Sequence, residues 1–280
     1  LDLRGRNYDV KEQKFTDGAI QKYIDNLDTF SKTLINSTNN IYAESAVERS
    51  NSDEISYLED DKTLMNFSNS IREGIFEAVV YDNKGNVVAR KTININGTTT
   101  MNDTTYGNSI VSDFNSDSDD NNDNNMLNDV NDYFQASYDY DKTTNKGTFS
   151  LIPKQAQGLY SISLVDKGTN FPGVVGVNRF FKGTDAKSIG VNNDFVQDHT
   201  KIRAYSKPVV GNNEVANKMV QLQYTKQTFY SNGTALDRDD TIEGYYRYFT
   251  TDIASDTEAN NTTHDTNTAL QKTAEEEFQS

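Results

Sequence analysis

The sequence predicts an α+β fold in which both ends of the chain build one discontinuous long-helix rod domain and the middle forms an inserted β-rich domain. Three observations carry this reading. Ile20, Leu27, Leu34 and Ile41 recur every seven residues between Ala19 and Ala46, with Tyr23, Ile24, Phe30 and Thr38 beside them, which is an a/d-type helical seam. Helical periodicity returns only near Asn213 and opens a fresh seam at Ile242, Tyr245, Tyr246, Phe249 and Ile253. Between the two lie β-branched and aromatic runs separated by turn residues, the pattern of strands. A seam helix of roughly 28 residues is about 42 Å long, and one apolar stripe of that length must lie against other long helices. The expected division is 1–70 for the first part of the rod, 71–210 for the insert and 211–280 for the second part.

Taken in order, Leu1 to Arg6 (LDLRGR) is short, apolar and basic, and a polar run leads to Asp17-Gly18, where the long helix starts. Asp28 and Lys32 on its polar face have the favourable i,i+4 spacing of an exposed ion pair. Glu48 to Asp61 reads as a connector, and Lys62 to Glu73 as a short helix with Leu64, Phe67 and Ile71 on one side. Ile75 to Tyr81 and Asn86 to Ile95 flank Asp82-Asn83-Lys84-Gly85, a bulged hairpin turn in which the Gly supplies positive φ. Gly97 to Asn131 is almost wholly polar and is expected to be a mobile surface loop, too poor in apolar surface to offset its ordering entropy. Thr148 to Ile152 and the alternating Leu159 to Val165 are expected to form a second hairpin. Val174-Val175 and Phe180-Phe181 close the core of the insert along an irregular path. Asn212 or Asn213 caps a helix carrying Val215, Met219 and Leu222, which Ser231-Asn232-Gly233 ends, and Thr241 caps the last helix. After Ala254 that helix is rich in Asn and Thr, and alone it should fray.

Composition narrows the function classes. A net charge of −15 opposes binding to nucleic acid and to anionic membrane surfaces. With no Cys, and with His199 and His264 the only His, the sequence offers neither a thiol nucleophile nor the usual zinc constellation. No nucleophile elbow or phosphate-cradling Gly pattern is present, no apolar run approaches the roughly 18 residues of a membrane span, and no cofactor is expected. Asp117, Asp119, Asn121 and Asp123 imitate the first ligands of a calcium loop, but in that frame Asn122 replaces the Gly and Asn128 the closing Glu, so no metal is expected there. Glu258-Ala259-Asn260-Asn261-Thr262 fits an acidic glycosylation sequon, within a stretch that reads as helix. The residues singled out for the seam and for assembly are Ile20, Leu27, Phe30, Leu34, Ile41, Ile242, Tyr246, Phe249 and Ile253.

Four segments share the order of a known family: LDLRGR at Leu1 to Arg6, the seam through Leu27 and Ile41, FFKGTDAKSIGVN at Phe180 to Asn192, and TIEGYYRYFTTDIASDTE at Thr241 to Glu258. Together they resemble the flagellar hook-associated proteins of the hook–filament junction. The flanks match best, the Phe180 segment moderately and the Asp-rich loop hardly at all. The resemblance implies a fragment lacking the family's terminal helices and having no catalytic residues. It also implies a structural subunit exported without a cleaved signal, served by an export chaperone and assembled with hook protein and neighbouring hook-associated proteins into a ring outside the cell. Flagellin shares helical flanks, and a secreted adhesin or glycan-binding module is the alternative from another class.

Overall fold

A computed structural model describes residues 7–10, 14–16, 18–231 and 237–279 of the chain. The LDLRGR segment, Asp17 and Asn232-Gly233 lie outside these residues. With 38% helix, 22% strand and antiparallel ladders throughout, the molecule is an α+β protein.

A short ladder of β1 (Asn7–Asp9) and β2 (Lys14–Thr16) precedes α1 (Ala19–Ala43). Then come β3 (Ser50–Asn51), β4 (Ile55–Ser56), α2 (Leu64–Phe67) and the hairpin of β5 (Gly74–Asp82) and β6 (Val87–Ile95). Next are α3 (Ile110–Asn115), α4 (Val130–Tyr133), β7 (Phe134–Asp141), β8 (Lys146–Pro153), β9 (Tyr160–Asp166) and α5 (Phe171–Val175). The chain continues through β10 (Phe181–Lys182), β11 (Gly190–Val191), α6 (Asn193–Gln197) and a 3₁₀ turn at His199–Lys201. It ends with α7 (Glu214–Leu222), β12 (Gln227–Phe229), β13 (Arg238–Asp240) and α8 (Ile242–Gln279).

Two antiparallel sheets enclose the main core. In one, β5 lies between β6 and β9; in the other, β8 pairs with β7 on one side and with β3 and then β4 on the other. Phe76, Val80, Ile93 and Leu164 face Phe134, Ala136, Phe149 and Leu151 in one buried cluster. Phe171 joins the sheets, stacking on Phe76 at 5.0 Å and meeting Phe149 edge-on at 6.2 Å. The expected β5–β6 hairpin is present: Gly85 has φ of 81°, Asp82 accepts from the Asn86 and Lys84 backbone N–H, and the register shifts between Val80 and Tyr81.

Several expectations need correction. Thr148 to Ile152 and Leu159 to Val165 do not pair, because β8 takes β7 as its hairpin partner while β9 crosses to β5. The connector at 48–61 supplies β3 and β4, and the helix expected over Lys62 to Glu73 shrinks to the single turn of α2. Gly97 to Asn131 is ordered rather than loose: Thr99, Met101, Ile110, Phe114 and Val130 are buried, and Asp and Asn side chains satisfy the backbone of the polar stretch. Val175 joins the main core, but Phe180 packs instead on Tyr42 of α1, 5.5 Å between ring centres.

The face that α1 buries also differs from the seam. Its buried residues are Thr29, Ser31, Thr33, Ile35, Thr38, Asn39, Tyr42 and Ala43, most of them small and polar, whereas Ile20 and Leu27 are 51% and 43% exposed. The cause is close approach: at Gly173 of α5 an added Cβ would lie 2.2 Å from the Asn36 carbonyl oxygen. Large apolar residues on that side of α1 would hold the two segments apart. Asp28 and Lys32 do not pair with each other; Asp28 accepts from the Ala186 N–H and Lys32 donates to Asn69. The helix that was expected to fray after Ala254 runs on to Gln279. No helix among the described residues is long and apolar enough to cross a membrane.

Candidate assembly surface

Of the residues chosen from the seams, Phe30, Ile242, Tyr246, Phe249 and Ile253 come together where α1 meets α8, whereas Ile20, Leu27 and Ile41 do not. Thr241 starts α8 by accepting the Gly244 N–H on its hydroxyl at 3.0 Å, and the helix then runs antiparallel to α1. Phe30 packs against Tyr246 at 5.7 Å and Phe249 at 5.9 Å, and Ile242 and Ile253 border the same cluster. Phe229 of β12 stacks on Tyr245 with ring centres 4.0 Å apart, and the Tyr245 hydroxyl bonds to Asn26 Oδ1 at 3.2 Å. Farther along, Lys22 Nζ contacts Asp252 at 2.6 Å, and the Tyr23 hydroxyl donates to Asp256 at 2.5 Å. Each carboxylate raises the pKa of its partner, chiefly through the hydrogen bond, holding Lys22 charged and Tyr23 protonated.

Beside this pair runs an apolar groove of about 830 Å³ between α1, α7 and α8, lined among others by Phe30, Leu34, Tyr42, Met219, Leu222 and Tyr246. Its α1 side uses the i,i+4 row Phe30, Leu34, Thr38 and Tyr42 rather than the seven-residue row of the seam. Ile41 belongs to a neighbouring cluster with Tyr42, Phe195 and Val215. Ile20, Ile24 and Leu27 continue from the pair toward the start of α1 as a stripe 43 to 51% exposed, and Tyr246 is 51% exposed. Beyond Ala254 α8 is almost wholly exposed, including Leu270 and Phe278. Thr257, Thr262, Thr263, Thr266, Thr268 and Thr273 each donate a hydroxyl to the carbonyl four residues back.

Sequence reasoning missed two residues that tie α1 to neighbouring backbone, including Phe180 and Phe181 of the groove's lining. Asn39 Oδ1 accepts the N–H groups of Phe180 and Phe181, both at 2.9 Å, while its Nδ2 donates to the Phe181 carbonyl at 2.9 Å. Asn40 Oδ1 accepts the Gly173 N–H at 2.6 Å and its Nδ2 reaches Asn170 at 3.0 Å. Two adjacent Asn in a helix interior, where Asn is a poor helix former, were the available signal.

No protein-family model matches the chain, and no curated protein matches it. Among the described residues no three Asp, Glu, His or Cys side chains converge as a metal-binding group. His199 and His264 are both exposed, the second on the free part of α8 together with Asn260 of the sequon. What the surface offers is an apolar, partly uncovered helix pair beside a groove.

Proposed function

We propose that this chain is a structural subunit of the bacterial flagellum that joins hook to filament as a junction ring and is needed for filament assembly. The observation that carries the reading is the antiparallel pairing of α1 with α8, which leaves Ile20, Ile24, Leu27 and Tyr246 facing water on long helices from both ends of the chain. Such a stripe suits coverage by further long helices, and a repeated contact between copies closes into a ring when the rotation allows it. In this reading the helices of the two ends form a discontinuous rod and the two-sheet unit projects from it as an insert. The likeness at Phe180 to Asn192 and Thr241 to Glu258 supports the assignment, since both segments pack on α1 beside the groove.

The subunit works without catalysis and without a cofactor. Its partners are copies of itself, the hook protein, neighbouring hook-associated proteins and an export chaperone; it leaves the cell through the flagellar secretion system without a cleaved signal peptide. The net charge of −15 opposes nucleic acid and anionic membranes as partners. Imaging cells that lack the gene tests the proposal. Hooks without filaments, with flagellin shed into the medium and restored by the wild-type gene, are expected; normal flagella in the deletion strain would overturn it.

A further inference from the structure

Alternation along β6 puts Ala89, Lys91, Ile93 and Ile95 on one face, and all of them but the lysine belong to the main core. Lys91 is 5% exposed, a place where an ammonium has almost no water to solvate it. Its Nζ ends between the Ser116 carbonyl, to which it donates at 2.6 Å, and the Asp120 carboxylate, whose Oδ1 lies at 3.4 Å. The Asp120 side chain is as enclosed as that of Lys91, 4% exposed against 6%. Phe114 of α3 and Val130 of α4 are fully buried, and both helices pack on β6.

The Asp120 carboxyl is held on both oxygens. Ser118 Oγ donates to Oδ1 at 2.8 Å and the Val130 N–H to Oδ2 at 3.1 Å. The backbone behind it is fixed in turn, since the Asp120 N–H donates to Asp129 Oδ1 at 2.6 Å and Asp129 opens α4 with a capping box. A buried ion pair of this kind is a poor source of stability, because desolvating two charges offsets most of their attraction. Passing one proton from Nζ to Oδ1 turns the pair into an amine and a carboxylic acid, the forms that a low dielectric favours. These are a nucleophile and an electrophile at contact distance, and fixed orientation of this kind is equivalent to an effective concentration of about 10⁵ M or more.

We propose that Lys91 and Asp120 condense to a side-chain amide, an isopeptide bond that staples β6 to the polar segment between α3 and α4. The Nζ lone pair adds to Cγ, and the Ser118 hydroxyl and Val130 N–H stabilise the oxygens of the tetrahedral intermediate. The Cγ–Oδ1 bond then breaks. Oδ1 leaves as water, carrying the carboxyl proton and one proton from the nitrogen; Oδ2 becomes the amide oxygen on the Val130 N–H, and the remaining N–H of the nitrogen keeps the Ser116 carbonyl. An ammonium and a carboxylate go in, an amide and one water come out, and no oxidant or other reactant is consumed. The step occurs once per chain and is independent of the flagellar reading. In a chain without Cys, such a bond limits the unfolded state as a disulfide would, and it does so around a stretch whose composition is that of a loop.

The intact mass of the full chain, folded in neutral buffer and then denatured for mass spectrometry, tests the bond. The wild type is expected to be lighter than its sequence by one water. Lys91→Arg, which keeps the charge but offers no amine, and Asp120→Ala should both have their full sequence masses. Cyanogen bromide cuts after Met65, Met101 and Met126, so fragments 66–101 and 102–126 should stay joined in the wild type and separate in both variants. If Asp120→Ala does not fold, Lys91→Arg and the wild-type fragments decide the matter. A wild-type chain at full sequence mass overturns the proposal and leaves a buried ion pair. So does a loss of water that persists in Lys91→Arg, or a lighter wild type whose two fragments separate.

Discussion

Replacing Phe249 with Ala should free α8 from the molecule while leaving the two-sheet core intact. Phe249 is 5% exposed, and its ring lies 5.9 Å from Phe30, 6.2 Å from Tyr245 and 5.3 Å from Tyr246. Loss of a buried Phe side chain costs about 3 to 5 kcal/mol, depending on how far the site collapses. Here Tyr246 is half exposed and can move into part of the space, which selects the lower end, about 3 kcal/mol. At 1.4 kcal/mol per decade that is a factor of about a hundred in the opening equilibrium. Downstream the hold on α1 is thin, the half-exposed Lys22–Asp252 pair, the Tyr23–Asp256 bond and the edge of Ile253, and the helix beyond them is exposed and rich in residues of low helix propensity. Hydrogen exchange of the variant should therefore accelerate by about two orders of magnitude across 245–279. Val79, Val80 and Ile93 in β5 and β6 should keep their wild-type rates. Equal loss of protection in both regions would refute the reasoning by showing one cooperative unit; unchanged exchange in α8 would show that its anchor lies elsewhere.

Asn39→Ala removes three hydrogen bonds and strands the Phe180 and Phe181 N–H groups, so urea unfolding should show a loss of about 2 to 4 kcal/mol. Gly173→Ala meets the Asn36 carbonyl oxygen at 2.2 Å and should lower Tm, since helix backbone cannot swing aside as a side chain can. Leu27→Asp should change the stability of the isolated chain by less than about 1 kcal/mol because the side chain is 43% exposed, yet block filament attachment in a motility assay if the stripe is a contact between subunits. Asp185 and Glu214 have carboxyls held below their ordinary range, mainly by hydrogen bonds from Ser188 and Ser206 respectively. The stability they contribute is complete above the unfolded-state values of about 4 and is lost as pH falls through the lower folded values, so Tm should drop as pH is taken below about 4.

Much of the framework could be read from the chain. Alternation and a Gly-bearing turn located β5 and β6, where burial follows hydrophobicity, and the recurrence of apolar residues located α1 and the first half of α8 as helices. The failures occur where polarity and burial part company. Residues 97–131 look like a loop by composition, yet Asp and Asn bond to neighbouring backbone while Ile110, Phe114 and Val130 anchor the segment in the core. The choice of face on α1 failed for the same reason: Thr29, Ser31 and Thr33 are buried because they are small, and Ile20 and Leu27 stay outside because no described residue covers them. Strand pairing between β9 and β5, separated by some 80 residues, has no local signal at all.

The way α1 is tied to the sheets has a mechanical consequence. Near the end of the helix, Asn39 and Asn40 grip the backbone at Phe180, Phe181 and Gly173, and just past it Val47 and Ile162 exchange N–H···O bonds of 3.0 and 2.8 Å. A pull along α1 is thus shared among several short bonds in parallel instead of peeling them one at a time. Apolar contacts resist separation but slide; directional bonds resist sliding as well. Ile162 of β9 and Gly173 of α5 thus carry load from α1 into the two-sheet unit at two points, and a force on the helix reaches the sheets through hydrogen bonds rather than through apolar contact alone.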